Sequence, residues 1–283
     1  MLTSALAAGC GDDDSSDDVQ PAGTSPADPG TTPTGGAAVP QVDGYGFVSL
    51  RQLAPSETLI TAEFAAEALP VLDDCVQVTE DSATGCRVLR TPRGCNSRGT
   101  ADFLSAGDLT VAVSRNAITM PPNSSGAYNG NLSPGVLDDA QPIELRASGS
   151  LPEGVPPFDL QVSPLTPSVD TVAVDFGTQI SRNAAHTITW DNSPALQGTL
   201  DLRILNYSFN GSTLLSCVAL DPAAQSVTLP ASMTQMLANG PVEVTVYHSA
   251  IATELVGAAP EPVFSIQTHL RQRVAGGNLP VVN

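Results

Sequence analysis

The sequence contains no lysine. Its 283 residues include eleven basic residues, all of them arginine, and 29 acidic residues. The net charge is therefore −18. Proteins that bind nucleic acids neutralise phosphates with basic patches, so this balance excludes nucleic acid as a partner. Chemistry that depends on a lysine, such as a Schiff base or a P-loop, is also excluded.

Long apolar runs and catalytic motifs are also missing. No run approaches about 18 apolar residues, so no transmembrane helix is predicted. The sequence has no Cys-x-x-Cys, no close histidine pair and no Gly-x-Ser-x-Gly, the motifs of zinc sites and of one large hydrolase class. We therefore predict no enzyme activity and no catalytic, cofactor-binding or metal-binding residue. Of the three histidines, His186 alternates with core positions, whereas His248 and His269 are predicted at exposed strand ends.

The first 46 residues carry seven aspartates and no arginine. Residues 11–44 are rich in Pro, Gly, Thr and Ser and have almost no large apolar side chain. Such a composition cannot bury enough surface to offset the entropy of ordering. We predict a disordered acidic tether over 11–44, extended by proline and by charge repulsion.

The segment Leu6-Ala-Ala-Gly-Cys10 resembles the lipobox of bacterial lipoproteins. The resemblance implies that residues 1–10 are a signal remnant and that Cys10 carries a lipid anchor. Only nine residues precede Cys10 and none is basic, unlike a complete secretory signal, so we expect the natural start upstream. The alternative is a chance Ala-Gly-Cys in a low-complexity leader.

Short alternating runs broken by turn residues follow Tyr45, which predicts an all-β fold. Residues 45–165 are predicted as a first β-sandwich. It includes strands over Asp108–Val113 and Pro142–Ala147 and a hairpin from Cys75–Thr79 to Cys86–Arg90 with a glycine at its turn. The proline-containing segment Ser163–Ser168 predicts a boundary.

Residues 166–275 are predicted as a second sandwich, immunoglobulin-like or jelly-roll-like, with 276–283 as a tail. Seven or so strands and one buried tryptophan, Trp190, are typical of that architecture. The predicted strands are His186–Trp190, 200–204, Thr213–Ala219, 242–246 and Phe264–Leu270. One helix is predicted at 230–238, between Pro230 and Asn239-Gly240.

As a whole, the chain resembles two-domain lipoproteins of myxobacteria and related high-GC bacteria. The segments that carry this resemblance are Asp74–Cys95, Ala106–Val111, Leu145–Gly149, Thr187–Trp190 and Cys217–Ala231. They are strand and turn motifs, so the resemblance implies architecture and location, an outer-membrane lipoprotein at or near the cell surface. It implies no activity.

Four cysteines remain after Cys10, and an exported protein reaches an oxidising compartment in which such thiols form disulfides. Cys75 and Cys95 would lie together at the open end of the predicted hairpin, so this pair is the favoured disulfide. Three pairings remain open. A bond between Cys86 and Cys217 would have to cross domains, so we predict two buried thiols there.

Three functions compete. The leading hypothesis is a non-enzymatic envelope lipoprotein that contacts a protein or glycan. The second is a glycan-binding module or weak hydrolase, for which Tyr128, Tyr207, Phe209 and Tyr247 are the candidate exposed aromatics. The third is a calcium-dependent adhesion domain with Asp138, Asp170 and Asp175 as loose candidates. The acid pairs Asp73-Asp74 and Asp138-Asp139 are predicted to be solvated turns.

Overall fold

The structure is a computed structural model that describes residues 42–54, 57–66, 76–95, 103–133, 136–138, 141–151, 154–165, 172–191, 196–258 and 262–283. Several sequence predictions lie outside the described residues. These are the lipobox with Cys10, the tether up to residue 41, Cys75, Asp73, Asp74, Asp139 and Asp170.

The described residues form seventeen strands and one short α-helix, which confirms the all-β class. The strands are β1 (Gly44–Ala54), β2 (Glu57–Ala65), β3 (Gln77–Asp81), β4 (Cys86–Pro92), β5 (Leu109–Val113), β6 (Asn116–Met120), β7 (Tyr128–Leu132), β8 (Ile143–Ala147), β9 (Phe158–Val162), β10 (Val174–Asp175), β11 (Ile180–Ser181), β12 (His186–Trp190), β13 (Thr199–Ser208), β14 (Gly211–Leu220), β15 (Ser226–Leu229), β16 (Gly240–Val256) and β17 (Phe264–Val282). The helix, α1 (Ala231–Thr234), is shorter than predicted because a turn replaces its second half.

A ten-stranded central sheet organises the fold. Its strands follow the order β3-β4-β14-β13-β16-β17-β1-β2-β7, with β11 also paired to β17. Two smaller sheets have the orders β6-β5-β8-β9 and β10-β12-β15. The pairs β1–β17 and β11–β17 are parallel, and the other pairs are antiparallel. The central sheet therefore joins strands from both ends of the described chain.

Each smaller sheet packs on a different part of the central sheet. In the first core, Val48 and Leu50 of β1 pack with Val111 and Leu145 of the four-stranded sheet. The alternation of apolar and polar residues in these strands puts every second side chain into this core. The strands predicted around 109–113 and 143–147 are thereby confirmed.

The second core lies between the other part of the central sheet and the three-stranded sheet. Leu200, Leu202 and Ile204 of β13 pack there with Ile188 and Trp190 of β12. The Trp190 indole Nε1 donates a 2.8 Å hydrogen bond to the Pro222 carbonyl, so its one polar atom is satisfied in the interior. Trp190 is buried, as predicted.

A row of polar side chains separates the two cores. The long strands β16 and β17 contribute residues to both cores. Between the two cores, His248 of β16 lies directly opposite Gln272 of β17. Gln52, the residue after Arg51 on neighbouring β1, continues the row. All three are buried. Polar side chains at core-facing positions interrupt the apolar contact, which divides the interior in two.

Strand pairing crosses the predicted division at residues 165 and 166. Strand β4 pairs with β14, and β1 pairs with β17. The predicted tail at 276–283 is wrong, since β17 continues through Val282 and pairs with the start of β16. The segment remains a strand because β16 pairs with it on one side and β11 pairs with Val281 and Val282 on the other side.

Cys86 and Cys217 form a disulfide, so the prediction of two buried thiols is wrong. The two residues lie opposite each other in the β4–β14 pair, with Cα atoms 4.1 Å apart. The prediction failed because it placed these strands in different domains. Cys95 is also disulfide-bonded, and its predicted partner, Cys75, lies outside the described residues.

Candidate functional site

The tip of the β13–β14 hairpin presents the most exposed aromatic side chains among the described residues. Tyr207 is 73% exposed and Phe209 is 83% exposed. The Arg93 guanidinium lies 5.0 Å from the centroid of the Phe209 ring, within the range of a cation–π contact. We call Tyr207, Phe209 and Arg93 the hairpin tip. It places two rings and one cation together at one end of the central sheet.

Backbone contacts hold the hairpin tip in place. The Arg93 amide donates a 2.9 Å hydrogen bond to the Asn210 carbonyl, which ties the end of β4 to the hairpin loop. Gly211 has a φ of +132°, and a Cβ atom there would lie 2.1 Å from the Thr91 carbonyl oxygen. A side chain at Gly211 would therefore push the two strands apart. The aromatic rings are exposed on a braced backbone.

The prediction that Tyr128 is exposed is wrong. Its side chain is 1% exposed and packs edge-on against Phe64 in the first core. Its hydroxyl accepts a 2.7 Å hydrogen bond from the Ala106 amide and donates one of 2.8 Å to the Gly107 carbonyl. Tyr128 thus anchors a loop to the core and is removed from the candidate ligand-binding aromatics.

Tyr247 is also buried, at 6% exposure, contrary to prediction. It lies on the face of the central sheet opposite to the cores, which we call the outer face. Asp201 on β13 and Arg273 on β17 are its cross-strand neighbours. The sequence pattern of β16 predicts which side chains share a face, but not what the outer face packs against.

A buried group of charged residues occupies the outer face around Asp201. The Arg271 Nε donates a 3.0 Å hydrogen bond to Asp201 Oδ2, and His269 Nε2 approaches the same oxygen to 3.5 Å. The Ala219 amide donates to the other carboxylate oxygen at 3.1 Å. Asp201, His269 and Arg271 are each less than 10% exposed. Asp201 therefore anchors an ion-pair network without access to bulk water.

The pKa values of this group follow from burial and charge. Burial alone would raise the pKa of Asp201, but contact with His269 and the charge of Arg271 lower that pKa to about 2. Burial lowers the pKa of His269 despite the nearby carboxylate. Near neutral pH, Asp201 is ionised and its charge partner is Arg271.

His248 and His269 are both buried, so their predicted exposure is wrong. Burial lowers the pKa of His248, whose Nε2 contacts the Gln197 carbonyl. His186 is half-buried on β12, and burial lowers its pKa as well. The prediction for His248 and His269 failed because β16 and β17 run past both residues, each of which then lies inside a strand.

Two further arginines adjoin the network. Arg51 lies directly opposite Arg271 in the β1–β17 pair, and Arg203 follows Asp201 on the same side of β13. Burial, followed by the charges of Arg51 and Arg271, lowers the pKa of Arg203 to about 10. Three guanidinium groups therefore act on one another across four neighbouring strands.

Sequence reasoning did not single out this network. The run Leu200-Asp-Leu-Arg-Ile204 alternates apolar and charged residues, a pattern typical of a strand with one solvated face. Asp201 and Arg271 are 70 residues apart, and their contact depends on β16 lying between β13 and β17. The available signal was the concentration of arginines in strands of an otherwise acidic chain.

Neither a metal-binding cluster nor a membrane-spanning helix is found in the described ranges. These ranges contain no group of three or more His, Cys, Asp or Glu side chains that could hold a metal ion. The Asp175 carboxylate accepts a 2.8 Å hydrogen bond from the Gly177 amide, a local turn contact. Asp138 lies in a 3-10 turn at the first core. No described helix is long and apolar enough to span a membrane.

No protein-family model matches the chain, and no curated protein sequence does. The chain is similar to solved structures at low identity. One is a Ca²⁺-stabilised adhesin with which an Antarctic bacterium binds ice, at 11% identity and a TM-score of 0.19, covering 80% of this chain and 57% of the adhesin. Another comprises the chicken CNTN1 FN1–FN3 domains, at 8% identity and a TM-score of 0.23, covering 80% and 77%.

A third is a 1.5-MDa bacterial ice-binding adhesin, at 10% identity and a TM-score of 0.16, covering 81% of this chain and 75% of that one. This chain thus spans little more than half of the first adhesin structure. TM-scores this low do not support transfer of a function.

Proposed function

We propose that this protein is a non-enzymatic binding protein of the bacterial cell envelope that makes adhesive contact through the hairpin tip. The observation that carries this proposal is the exposure of Tyr207 and Phe209 beside Arg93 on a braced hairpin. Exposed aromatic rings cost free energy in water, and aromatic and arginine side chains supply much of the binding energy in known interfaces.

The tip suits a partner with a flat apolar face and polar groups at its edge. An aromatic ring offers a large contact area at low conformational entropy, and Arg93 adds hydrogen-bond donors next to it. A sugar ring or an exposed protein side chain provides the complementary surface. Since both rings are already held out from the sheet, binding requires little further ordering of this chain.

Replacing both tip aromatics, Tyr207→Ser together with Phe209→Ser, is expected to weaken binding at least about tenfold, because two exposed hot-spot side chains are lost. Binding of the fluorescently labelled full chain to intact cells of the producing bacterium and to a glycan array measures this effect. The unfolding midpoint should stay within a few degrees of the parent value, since both side chains are exposed.

Tyr45→Ser is the matched control, because Tyr45 is 40% exposed at the start of β1. It should bind like the parent protein. Equal binding by the parent and the double variant would reject the hairpin tip as the contact. Hits on the glycan array that the double variant loses would favour the glycan-binding module, which the exposed rings of Tyr207 and Phe209 support. Loss on cells alone would favour a protein partner.

We further propose that a lipid on Cys10 anchors the protein in the outer membrane, with residues 11–41 as a tether. The predicted end of the tether at residue 44 is corrected, because the Asp43 amide donates a hydrogen bond to the Val263 carbonyl and β1 begins at Gly44. The support is the sequence Leu6–Cys10 and the acidic Pro/Gly/Thr-rich composition that follows it. Mass spectrometry of the protein from its native host should find an acylated Cys10. The variant Cys10→Ala should leave the membrane fraction. An unmodified thiol at Cys10 would refute the anchor.

A further inference from the structure

We propose that the outer face of the central sheet binds a doubly charged oxyanion, sulfate or phosphate, between Arg51 and Arg203. These residues and the neighbouring Arg271 and Arg273 form what we call the basic cluster. The site is separate from the hairpin tip, and the proposal is independent of the adhesive role given above.

The geometry follows from strand register. Arg271 on β17 has Arg51 as its direct neighbour on β1 and Ser249 as its neighbour on β16. Arg203 on β13 pairs with Thr245, which in turn pairs with Gly276. Strand β16 lies between β17 and β13, and Arg203 is four residues along β13 from Thr199, the residue level with Ser249 and Arg271. Arg51 and Arg203 can therefore meet only through extended side chains that lean toward each other across β17 and β16. The charges of Arg51 and Arg271 both act on Arg203, in agreement with such an approach.

Gly276 makes room for the fourth arginine. A Cβ atom at position 276 would lie 2.3 Å from the Arg273 Nη2, so the guanidinium of Arg273 rests directly over this glycine. The Arg273 head group is thereby turned toward Thr245, the residue next to Arg203. A β-strand glycine often marks such a close approach.

Among the described residues, an ion pair within this face joins Asp201 to Arg271. Neither Arg51 nor Arg203 forms an ion pair with a carboxylate in the part of the chain that the structure describes. Both are partly buried. Partly buried cations that repel each other are costly unless an anion joins them.

An unsatisfied hydroxyl lies beside Arg271, the neighbour of Arg51. Ser249 is fully buried next to Arg271, and its Oγ has no hydrogen-bond partner among the described residues. A buried polar atom without a partner is rare in native proteins. A bound oxyanion would accept a hydrogen bond from a hydroxyl as well as from guanidinium groups, so one ligand would satisfy both features.

Sulfate and phosphate match the site better than other anions. An anion with two negative charges would neutralise the two positive charges of Arg51 and Arg203, neither of which pairs with a carboxylate of the described residues. The planar fork of guanidinium donors fits the oxygen spacing of an oxyanion and can bind it through paired hydrogen bonds. Chloride offers one charge and no such geometry. The group recognised could be a free inorganic ion or the same group attached to a saccharide.

Isothermal titration calorimetry of the full chain with sodium sulfate and with sodium phosphate tests the proposal. A sulfated disaccharide is titrated in parallel, and sodium chloride at equal ionic strength is the reference. We expect saturable binding of sulfate or phosphate and a higher unfolding midpoint than in chloride. Tighter binding of the disaccharide than of sulfate would assign the group to a saccharide, whereas equal binding would assign it to the free ion.

Arg203→Gln should weaken oxyanion binding by about tenfold or more, because it removes charge-assisted hydrogen bonds. Arg51→Gln is the second variant and should act in the same way. Arg115→Gln removes the same charge from an exposed turn and should leave binding unchanged. Without ligand, Arg203→Gln should unfold no earlier than the parent, since it relieves repulsion among arginines. Failure of every oxyanion to bind, or lower ligand-free stability of Arg203→Gln, would overturn the proposal.

Discussion

Asp201→Asn is expected to lower the free energy of unfolding by about 3 to 5 kcal/mol. The substitution keeps the shape of the side chain and an acceptor for the Ala219 amide, but it removes the charge that pairs with Arg271. Arg271 is 7% exposed, so its cation would remain buried without an ion-pair partner. Breaking a buried pair by removing one partner typically costs that much. Urea unfolding followed by circular dichroism measures the difference.

Asp159→Asn is the matched control, because Asp159 forms an ion pair with Arg146 in which both side chains are more than half exposed. Its cost should be below about 1 kcal/mol. The double variant Asp201→Asn with Arg271→Met should recover part of the loss, because no buried charge is left unpaired. If Asp201→Asn cost no more than Asp159→Asn, the buried network would contribute nothing to stability.

The same carboxylate makes the stability of the folded protein depend on pH in the acid range. The pKa of Asp201 is about 2 in the folded protein, below the ordinary value of 3.8 for an aspartate. The stabilisation from the ionised form is therefore complete above about pH 4 and is lost as pH falls toward 2. The Asp201→Asn variant should lack this part of the acid dependence, which comparison of the two unfolding curves between pH 2 and pH 5 would reveal.

The double variant Cys86→Ala with Cys217→Ala is expected to be less stable by about 4 kcal/mol. The disulfide joins residues 131 positions apart, and closing so long a loop strongly restricts the unfolded chain. Chemical unfolding of the oxidised parent and the double variant measures the change. Alanine variants are preferable to a reductant, because Cys95 is also disulfide-bonded.

The single variants Cys86→Ala and Cys217→Ala provide the control for this experiment. Either one removes the whole covalent link, so each should lose nearly as much stability as the double variant. Additive losses from the two singles would contradict the disulfide and would instead indicate two independent side-chain packing effects.

Local structure was predictable where a short segment carries its own pattern. The alternation in 143–147 correctly placed Ile143 and Leu145 inward, because side chains in a strand alternate between faces whatever lies around it. The β3–β4 hairpin was predicted from its turn, and Gly85 has the positive φ that such a turn favours. The helix after Pro230 was placed correctly but is only four residues long.

The candidate site was predicted only in part. Tyr207 and Phe209 are exposed as expected, since both border a tight hairpin loop that no other element covers among the described residues. Tyr128 and Tyr247 were indistinguishable from them in sequence. Their burial depends on Phe64 for one and on the paired strands β13 and β17 for the other, contacts that no local pattern encodes.

Composition and the two-residue period of the apolar side chains are sufficient to predict the all-β class, the inward and outward sides of many strands and the strong acidic bias of the chain. These local patterns do not encode that β4 pairs with β14, that Cys86 meets Cys217 or that arginines from distant strands gather beside Asp201. Alternation tells which side chains share a face of one strand. Which strands become neighbours is a choice among many long-range pairings, and it rests on the packing of two whole cores along β16 and β17.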